Sequence, residues 1–316
     1  MAFEINVTKN GNDTVITLKD LTEKSSAEIY SFGALLNNFS AQHHNETINV
    51  IEGFSSIEDV KQNLTPFFKS AKLSPYVCRV KDGKYKFGLD TYQLNKYASN
   101  GNALHGLLFD NLFSIANQWQ NETEAAIVLE TVYNNTEEGF PFIYKCSVEY
   151  NLSANNTLTI STTIKNLDNK LMPITDGWHP YFTLGDSIND YLVEFQSKTM
   201  LEFDDKLIPT GKQLSYETFG SLKLFENTFF DNCFLLDFTE CQPLCVLRNP
   251  LKNIQVEFYP EKSYPYLQIY TPESRKSIAI ENLSSPPDAF NNGIDLKILQ
   301  PGEEATFRVK YKIKAL

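Results

Sequence analysis

The 316-residue sequence predicts an all-β protein made of large antiparallel sheets packed face to face, with very little helix. Alternation of apolar and polar residues with a period of two is the dominant pattern from end to end. Turns rich in Gly, Asn, Asp and Pro join these segments without the alternating helices of a doubly wound α/β fold. No linker-like segment interrupts the pattern, so we expect a single domain over residues 1–316.

In the first part of the chain, one segment is predicted to be helical, namely 56–64. The strands predicted around it are Thr14–Leu18, Ala27–Phe39 and Ala125–Val132. A hairpin is predicted next, because the alternating segments Phe142–Leu152 and Leu158–Ile164 are separated by the turn-forming residues 153–156.

The second half of the chain continues the same pattern. Its predicted strands are Tyr191–Phe203, Phe230–Phe238, Leu244–Arg248, Ile254–Tyr259, Tyr266–Tyr270, Ser277–Ile280 and Phe307–Ala315. The last of these alternates apolar residues with arginine and lysines, which gives one dry face and one cationic face. Because lysines discourage pairing between sheets, we expect this strand to lie near a sheet edge.

Composition excludes several classes of function. The formal net charge of −11 disfavours a nucleic-acid partner. The sequence contains neither a basic segment followed by an apolar run at its start nor eighteen consecutive apolar residues, so we expect a cytoplasmic protein without a membrane partner. The five cysteines form no C-x-x-C pair, and we expect reduced thiols rather than a disulfide framework or a zinc ribbon.

The heptapeptide DGWHPYF at 176–182 contains His179, one of only four histidines in the chain. Pro180 disfavours the α conformation for the residue before it, so His179 should be held extended at a strand end or turn. Trp178 and Tyr181 supply flat apolar faces of the kind that stack against sugars. The heptapeptide by itself fits either a histidine packed in an aromatic core or a proton donor in a sugar-binding cleft.

The other three histidines lie in different surroundings. His105 follows a flexible polar segment and precedes Gly106, which leaves backbone room for a ligand. His43 and His44 lie in a polar loop, and we expect them to face solvent. The wide separation of the histidines, without a compact group of carboxylates, argues against a metal site.

Glu281 ends a strand whose alternation sorts its residues between two faces. Ile278 and Ile280 should face the core, while Ser277 and Ala279 share the other face with Glu281. Two small side chains beside one carboxylate leave space for a ligand. An ordinary exposed glutamate at a strand end fits the same pattern.

Asp231 and Arg79 are charged residues flanked by apolar or aromatic neighbours. Buried charges are rarely left without a partner, so each should meet either a protein group or a polar ligand. A structural ion pair explains either residue equally well.

Taken in order along the chain, these segments resemble the aldose 1-epimerase family, also called the galactose mutarotases. The resemblance covers nearly the whole sequence, and its most specific parts are HPYF at 179–182, IAIE at 278–281 and PPDAF at 286–290. The family usually carries a glycine before the arginine, where this chain has Cys78. The segments that carry the resemblance are Arg79, Leu104–Gly106, Asp176–Phe182, Phe230–Asn232, Tyr266–Tyr270 and Ile278–Glu281.

The resemblance implies a large antiparallel β-supersandwich of the galactose mutarotase type, with an open cleft on one sheet. It implies that His179 is a general acid and Glu281 a general base that interconvert the α and β anomers of a free aldohexose. It also implies that Arg79, His105 and Asp231 position the sugar hydroxyls, beside a wall that includes Trp178 and Tyr181. We expect a monosaccharide as partner, no cofactor or metal, and a monomer or weak dimer.

Two alternatives remain open at this point. An epimerase of the same fold acting on a hexose 6-phosphate would need several cationic side chains near the cleft to hold the phosphate. A non-catalytic carbohydrate-binding protein is also compatible with the scaffold, because a fold does not fix a function. A glycoside hydrolase is less favoured, since it would usually need two paired carboxylates.

Overall fold

The structure, a computed structural model, describes residues 2–44 and 46–316. Its α-helices in these ranges are α1 (Ile57–Asn63) and α2 (Ala289–Asn292). The strands of the first third are β1 (Phe3–Asn10), β2 (Asp13–Asp20), β3 (Ser25–Tyr30), β4 (Leu35–His43), β5 (Glu46–Asn49), β6 (Lys72–Leu73), β7 (Arg79–Val80), β8 (Lys84–Phe87), β9 (Asp90–Gln93), β10 (Ala98–Ser99) and β11 (Asn102–Leu104).

Strands also dominate the rest of the chain. Those of the middle third are β12 (Ser114–Gln120), β13 (Glu124–Asn134), β14 (Ile143–Ser153), β15 (Thr157–Asn166), β16 (Met172–Ile174), β17 (Gly177–Trp178), β18 (Tyr181–Phe182), β19 (Leu192–Phe195), β20 (Ser197–Phe203) and β21 (Pro209–Ser215). The last are β22 (Lys223–Leu224), β23 (Asp231–Leu236), β24 (Cys245–Asn249), β25 (Ile254–Pro260), β26 (Tyr266–Tyr270), β27 (Ile278–Leu283), β28 (Lys297–Leu299) and β29 (Glu304–Ala315).

Two large antiparallel sheets form the body of the protein, and the predicted all-β fold is confirmed. One sheet has nine strands in the order β12-β13-β14-β15-β29-β25-β24-β19-β22. The other has eight, seven in the order β21-β20-β23-β26-β27-β17-β6, with β18 also pairing with β27. A five-stranded sheet, β1 to β5 in chain order, accompanies them.

The predicted hairpin at 142–164 is confirmed as β14 and β15. Their register places Leu152 opposite Leu158, and alternate residues of β14 are buried. The buried residues, among them Tyr150 and Val148, join one hydrophobic cluster with Ile280 of the eight-stranded sheet. The core therefore lies between the two large sheets, and the face of β27 opposite Ile280 is free to build a site.

The last strand, β29, does not lie near an edge as the sequence pattern indicated. It occupies the centre of the nine-stranded sheet, between β15 and β25. Phe307 and Val309 are fully buried, whereas Arg308 and Lys310 are exposed. The alternation correctly predicted that one face of β29 is exposed to solvent. Such a face belongs to the outer surface of the sheet and does not indicate whether the strand has neighbouring strands on both sides.

Two predicted strands are each divided in the structure. Residues 27–39 form the hairpin of β3 and β4, because Gly33 and Ala34 adopt positive φ angles of 69° and 47° and reverse the chain. Residues 191–203 divide at Gln196, so that β19 joins the nine-stranded sheet and β20 the eight-stranded one. A strand that changes sheets at a corner keeps its alternation, which hides the break in the sequence.

Helix α1 confirms the helix predicted at 56–64. The hydroxyl of Ser56 accepts a hydrogen bond of 3.1 Å from the Asp59 backbone N–H and so caps the first turn. Ile57 and Val60 are buried against a second hydrophobic cluster. Across the described ranges, no helix has the length and apolar character needed to cross a membrane.

Candidate active site

The face of the eight-stranded sheet that is turned away from the core carries a row of polar side chains from three adjacent strands. Pairing aligns Gln268 of β26 with Glu281 of β27 on one side and with Cys233 of β23 on the other. Asp231 lies two residues from Cys233, and residues two apart in a strand share a face. Asp231, Gln268 and Glu281 therefore line one cavity of about 380 Å³.

His179 enters this cavity from the segment between β17 and β18. Its backbone is fixed on both sides, since its N–H donates to the Ala71 carbonyl at 3.1 Å and its carbonyl accepts from the Ser70 N–H at 2.9 Å. The extended conformation that Pro180 favours suits this pairing. The imidazole stacks on the Tyr181 ring with 5.2 Å between centroids. Backbone and ring contacts together leave the imidazole little freedom.

Arg79 and His105 reach the cavity from a small separate sheet formed by β7, β10 and β11. Cys78, just before β7, and His105, just after β11, adopt positive φ angles of 47° and 61° although neither is glycine. The His105 N–H donates to the Cys78 carbonyl at 2.8 Å, which ties the two positions together. A glycine, usual in the family at the position of Cys78, would adopt this conformation without strain. Such strain in L-residues is typical of functional sites.

His179 and Glu281 form the closest acid–base pair in the cavity. The distance from His179 Nε2 to Glu281 Oε1 is 3.4 Å, and the two side chains are only 6% and 2% exposed. The other nitrogen of His179 and the other oxygen of Glu281 have no hydrogen-bond partner among the described residues. The His105 ring packs edge-on against His179, with centroids 4.8 Å apart. Each member of the pair thus keeps one buried polar atom without a hydrogen-bond partner among the described residues.

Burial changes the protonation of this pair. Loss of solvent lowers the pKa of His179 to about 4, with Arg79 contributing in the same direction. Loss of solvent also raises the pKa of Glu281 well above its ordinary range, an effect that Asp231 increases and Arg79 opposes. Burial therefore shifts the two groups in opposite directions, and both shifts favour the neutral imidazole and the protonated carboxyl group.

Asp231 lies at the other side of the cavity, where polar groups hold it in place. The Gln268 amide donates to Asp231 Oδ1 at 2.8 Å, and the Arg79 guanidinium lies 3.8 Å from Asp231 Oδ2. Burial raises the pKa of Asp231, while Arg79 and the Gln268 hydrogen bond act against that rise. This trio offers both donors and acceptors to a polyhydroxylated ligand.

Comparison with known proteins agrees with this geometry. The family model described as aldose 1-epimerase matches residues 14–312. The chain belongs to the aldose 1-epimerase family. The resemblance inferred from the sequence motifs is thereby confirmed.

Similar proteins come from several bacteria. YihR of Escherichia coli K12, described as uncharacterized, is 29% identical over 245 residues, which cover 73% of this chain and 74% of YihR. The aldose 1-epimerase of Streptococcus thermophilus is 23% identical over 89% of this chain and 88% of its own length. The crystal structure of a galactose mutarotase-like protein from Clostridium acetobutylicum superposes with a TM-score of 0.87 and 19% identity, covering 100% of this chain and 99% of that one. This last comparison shows the shared fold.

Six of the seven site residues predicted from sequence line the same cavity in this aldose 1-epimerase family member. They are Arg79, His105, His179, Tyr181, Asp231 and Glu281. His43 and His44 lie elsewhere, at the end of β4, with His44 exposed and His43 half-buried. Residues distant in the chain therefore converge on one point of the sheet.

Trp178 is the predicted site residue that the structure does not bring into the cavity lining. Its indole is 2% exposed and lies on the core side, below the Lys72 ammonium at 4.4 Å and edge-on to the Tyr150 ring. Successive residues of a strand point to opposite faces, so the orientation of His179 toward the cavity turns Trp178 away from it. Trp178 therefore packs on the core side of the sheet, opposite the cavity.

Nine lining residues were not assigned as site residues from sequence, among them Phe67, Gln268 and Tyr270. Gln268 carried a usable signal, because it is a polar residue in the centre of the apolar segment YLQIY, and such residues are buried only with a partner. Tyr270 shares its strand face. Phe67 lies in the loop after α1, where no periodic pattern exists to place it.

Proposed function

We propose that this chain is an aldose 1-epimerase that interconverts the α and β anomers of a free aldohexose of the glucose or galactose type. The observation that carries the proposal is the buried His179–Glu281 pair, 3.4 Å apart at one end of a polar cavity. The relatives named as aldose 1-epimerases support the same chemistry. We further propose that the chain acts as one domain over residues 1–316.

The reaction needs one proton donor and one proton acceptor. Glu281 takes the proton of the anomeric hydroxyl, the C1–O5 bond breaks as the C1 carbonyl forms, and His179 gives its proton to the ring oxygen. Rotation about C1–C2 presents the other carbonyl face. Attack by O5 then returns its proton to His179, while the carbonyl oxygen takes the proton back from Glu281. The cycle leaves both residues as they began.

The single proton of the pair is central to this scheme. The form with neutral His179 and protonated Glu281, toward which burial shifts both groups, is a tautomer of the charged form that the scheme uses. Arg79 stabilises the Glu281 carboxylate, since it lowers the pKa of that group. Sugar hydroxyls that donate to the carboxylate would act in the same direction. Substrate binding thus helps move the proton to His179.

The cavity lining favours a free sugar over a sugar phosphate. Arg79 is the one lysine or arginine among the described residues that line it, and it already faces Asp231. Arg248 bonds to Gln255 within the nine-stranded sheet, and Arg275 bonds to Asn189 and nearby carbonyl groups. Neither lines the cavity, so the bidentate clamp expected for a phosphate is not assembled from them.

Polarimetry tests the proposal directly. Freshly dissolved α-D-glucose or α-D-galactose should reach its equilibrium rotation faster with the purified protein than in buffer alone, and glucose 6-phosphate should be a poorer substrate. Exclusive use of the phosphate ester would overturn the preference for a free sugar. A protein that binds these sugars without accelerating mutarotation would be a carbohydrate-binding protein instead.

The pH dependence follows from the shared proton. Below pH 4 His179 becomes protonated while Glu281 keeps its proton, and the pair then has no acceptor. We expect kcat/KM to fall with a midpoint near pH 4 on the acid side. Initial rates corrected for spontaneous mutarotation, with circular dichroism as a control for folding, provide the measurement. A midpoint near the ordinary histidine value, about 6.5, would contradict this assignment.

Replacement of Asp231 by asparagine should mainly weaken sugar binding. Asp231 would accept hydrogen bonds from hydroxyls that are present in both the ground state and the transition state, so KM should rise more than kcat falls. Hydrogen bonds to a charged group are typically worth about 1.5–3 kcal/mol, which corresponds to a rise of roughly 10- to 100-fold in KM. Asp237→Asn, just beyond the other end of β23, is the matched control. A pure kcat defect would assign Asp231 a different role.

A further inference from the structure

The motif PPDAF at 286–290, one of the most specific parts of the sequence, has no role in the proposed reaction. It follows β27, the strand that carries Glu281, and it leads into α2. Asp288, the third residue of the motif, is 5% exposed and adopts a positive φ of 63°. Aspartate tolerates this conformation better than most residues do, although it is uncommon outside glycine. A buried residue in this conformation is typical of a position that its surroundings determine.

Asp288 binds the strand β7 at two points. Its backbone N–H donates to the Arg79 carbonyl at 2.7 Å, and its side-chain Oδ1 accepts from the Lys81 N–H at 2.8 Å. On the other edge β7 pairs with β11, where Leu104 lies opposite Arg79. Because β7 is only two residues long, the two bonds from Asp288 take the place of a second neighbouring strand. The backbone of Arg79 is thus held from both edges.

Further contacts hold Asp288 in place. The Asn291 amide donates to the same Asp288 oxygen at 2.7 Å and to the Lys84 carbonyl at 2.9 Å. Phe290 anchors the segment, because its ring is 5% exposed and packs against the Tyr85 ring with 4.8 Å between centroids. The Asp288 side chain therefore has a fixed position before any ligand binds.

Arg79 connects this arrangement to the cavity. Its guanidinium lies 3.8 Å from Asp231 Oδ2. Burial raises the pKa of Glu281, and the charge of Arg79 opposes that rise. Both interactions depend on distance. In the described ranges, β7, β10 and β11 pair only with one another, so strand pairing does not join Arg79 to the sheet of Glu281. Asp288 supplies that connection, because it lies seven residues after Glu281 in the same segment.

We propose that Asp288 is a positioning residue, which joins β7 to the chain segment of Glu281 and so holds the Arg79 guanidinium in the cavity. Asp288 does not line the cavity itself, so it acts through Arg79 and not on the sugar. The inference rests on the proposed function for its effect on turnover. The placement of Arg79 is independent of that function.

Two substitutions isolate the role of the Asp288 side-chain oxygen. Glycine and asparagine both tolerate a positive φ, but only asparagine offers an oxygen to the Lys81 N–H. We expect Asp288→Gly to lower kcat/KM for glucose mutarotation by about 3- to 10-fold, the value of one hydrogen bond. Asp288→Asn should keep the activity of the wild type. Asn253→Gly, at an exposed position with a positive φ of 50°, is the matched control and should also keep it.

A double-mutant cycle with Arg79→Ala tests whether Asp288 acts through Arg79. The effect of Asp288→Gly should disappear in the Arg79→Ala background, because the side chain to be positioned is then absent. Additive losses from the two substitutions, or a loss in Asp288→Asn equal to that in Asp288→Gly, overturn the proposal. If Asp288→Gly does not fold, Asn291→Ala takes its place in the cycle, because it removes one donor that holds the Asp288 side chain.

The position of Arg79 can be measured without turnover. A crystal structure of Asp288→Gly should show the guanidinium displaced from Asp231, whereas Asp288→Asn should keep the distance of 3.8 Å. If the displacement is found in a protein whose wild type does not accelerate mutarotation, the proposed reaction fails and the positioning role stands. An unmoved Arg79, in a protein active on glucose, removes the positioning role and leaves the reaction.

Discussion

His179→Ala and Glu281→Gln are each expected to lower kcat for mutarotation by about 10²- to 10⁴-fold, the usual contribution of a positioned proton donor or acceptor. Each variant removes one of the two groups between which the single proton of the pair moves. Neither alanine nor glutamine can take over that role at the same position. Polarimetry with a large excess of enzyme over the normal assay concentration measures the residual rate.

These losses should occur without loss of the fold. Burial raises the pKa of Glu281, so the folded state holds this proton more tightly than the unfolded state does. Stability therefore falls as the pH rises from the ordinary glutamate range toward that raised pKa, and a glutamine at 281 avoids this loss. We expect Glu281→Gln to have a Tm at pH 7 equal to or above that of the wild type.

A matched control is available on the other large sheet. Glu257 of β25 is also buried, with its carboxylate bonded to Gln255 and Tyr259, and Glu257→Gln should keep full activity. Wild-type turnover by either His179→Ala or Glu281→Gln would refute the assigned acid–base pair. Unfolding of Glu281→Gln under native conditions would show that its carboxyl has a structural role instead.

The second large effect is expected for Lys72→Met, which should lower the free energy of unfolding by about 3–5 kcal/mol. Lys72 and Asp176 are both fully buried, and the Lys72 ammonium lies 2.6 Å from Asp176 Oδ1. The same ammonium donates to the Gly177 carbonyl at 3.1 Å, and the Tyr264 hydroxyl donates to Asp176 at 2.7 Å. Removal of the lysine leaves a buried carboxylate without its counter-charge.

The destabilisation caused by the unpaired carboxylate can be separated from that caused by the loss of side-chain packing. The double variant Lys72→Met/Asp176→Leu removes both charges and should recover most of the lost stability, because a buried pair replaced by apolar groups is often neutral in free energy. Lys262→Met, at an exposed position, is the control for the lysine substitution. Urea denaturation gives the three values. Equal destabilisation of the single and double variants would mean that packing, rather than the unpaired charge, dominates.

This ion pair also explains how the fold positions His179. Lys72 and Asp176 join β6 to the segment that leads into β17, and the Trp178 ring lies against the Lys72 ammonium. His179 follows directly, with its backbone bonded to Ala71 and Ser70 next to Lys72. The buried charges thus fix the short strand from which the imidazole projects into the cavity.

Sequence patterns were most reliable for the face of a strand on which a residue lies. The alternation around Glu281 placed it on the face opposite Ile278 and Ile280, and the structure confirms this. The same alternation failed at β29, where the prediction concerned lateral neighbours, and at Gln196, where one continuous pattern runs through two sheets. Trp178 was grouped with His179 because the two are adjacent in sequence, although adjacency in a strand means opposite faces.

The sequence by itself determined the all-β class, about half of the strands in the described ranges, the family and six residues of the cavity lining. Only the tertiary structure decided the contacts, the burial and the pKa shifts of those residues. Pairing of strands far apart in the chain brings His179 to Glu281 and turns Trp178 into the core. The same pairing forms a further cavity, which shares Tyr181 with the first. Burial then lowers the pKa of His179 and raises that of Glu281, because the cost of losing solvent is set by everything packed around a group and not by its neighbours in sequence.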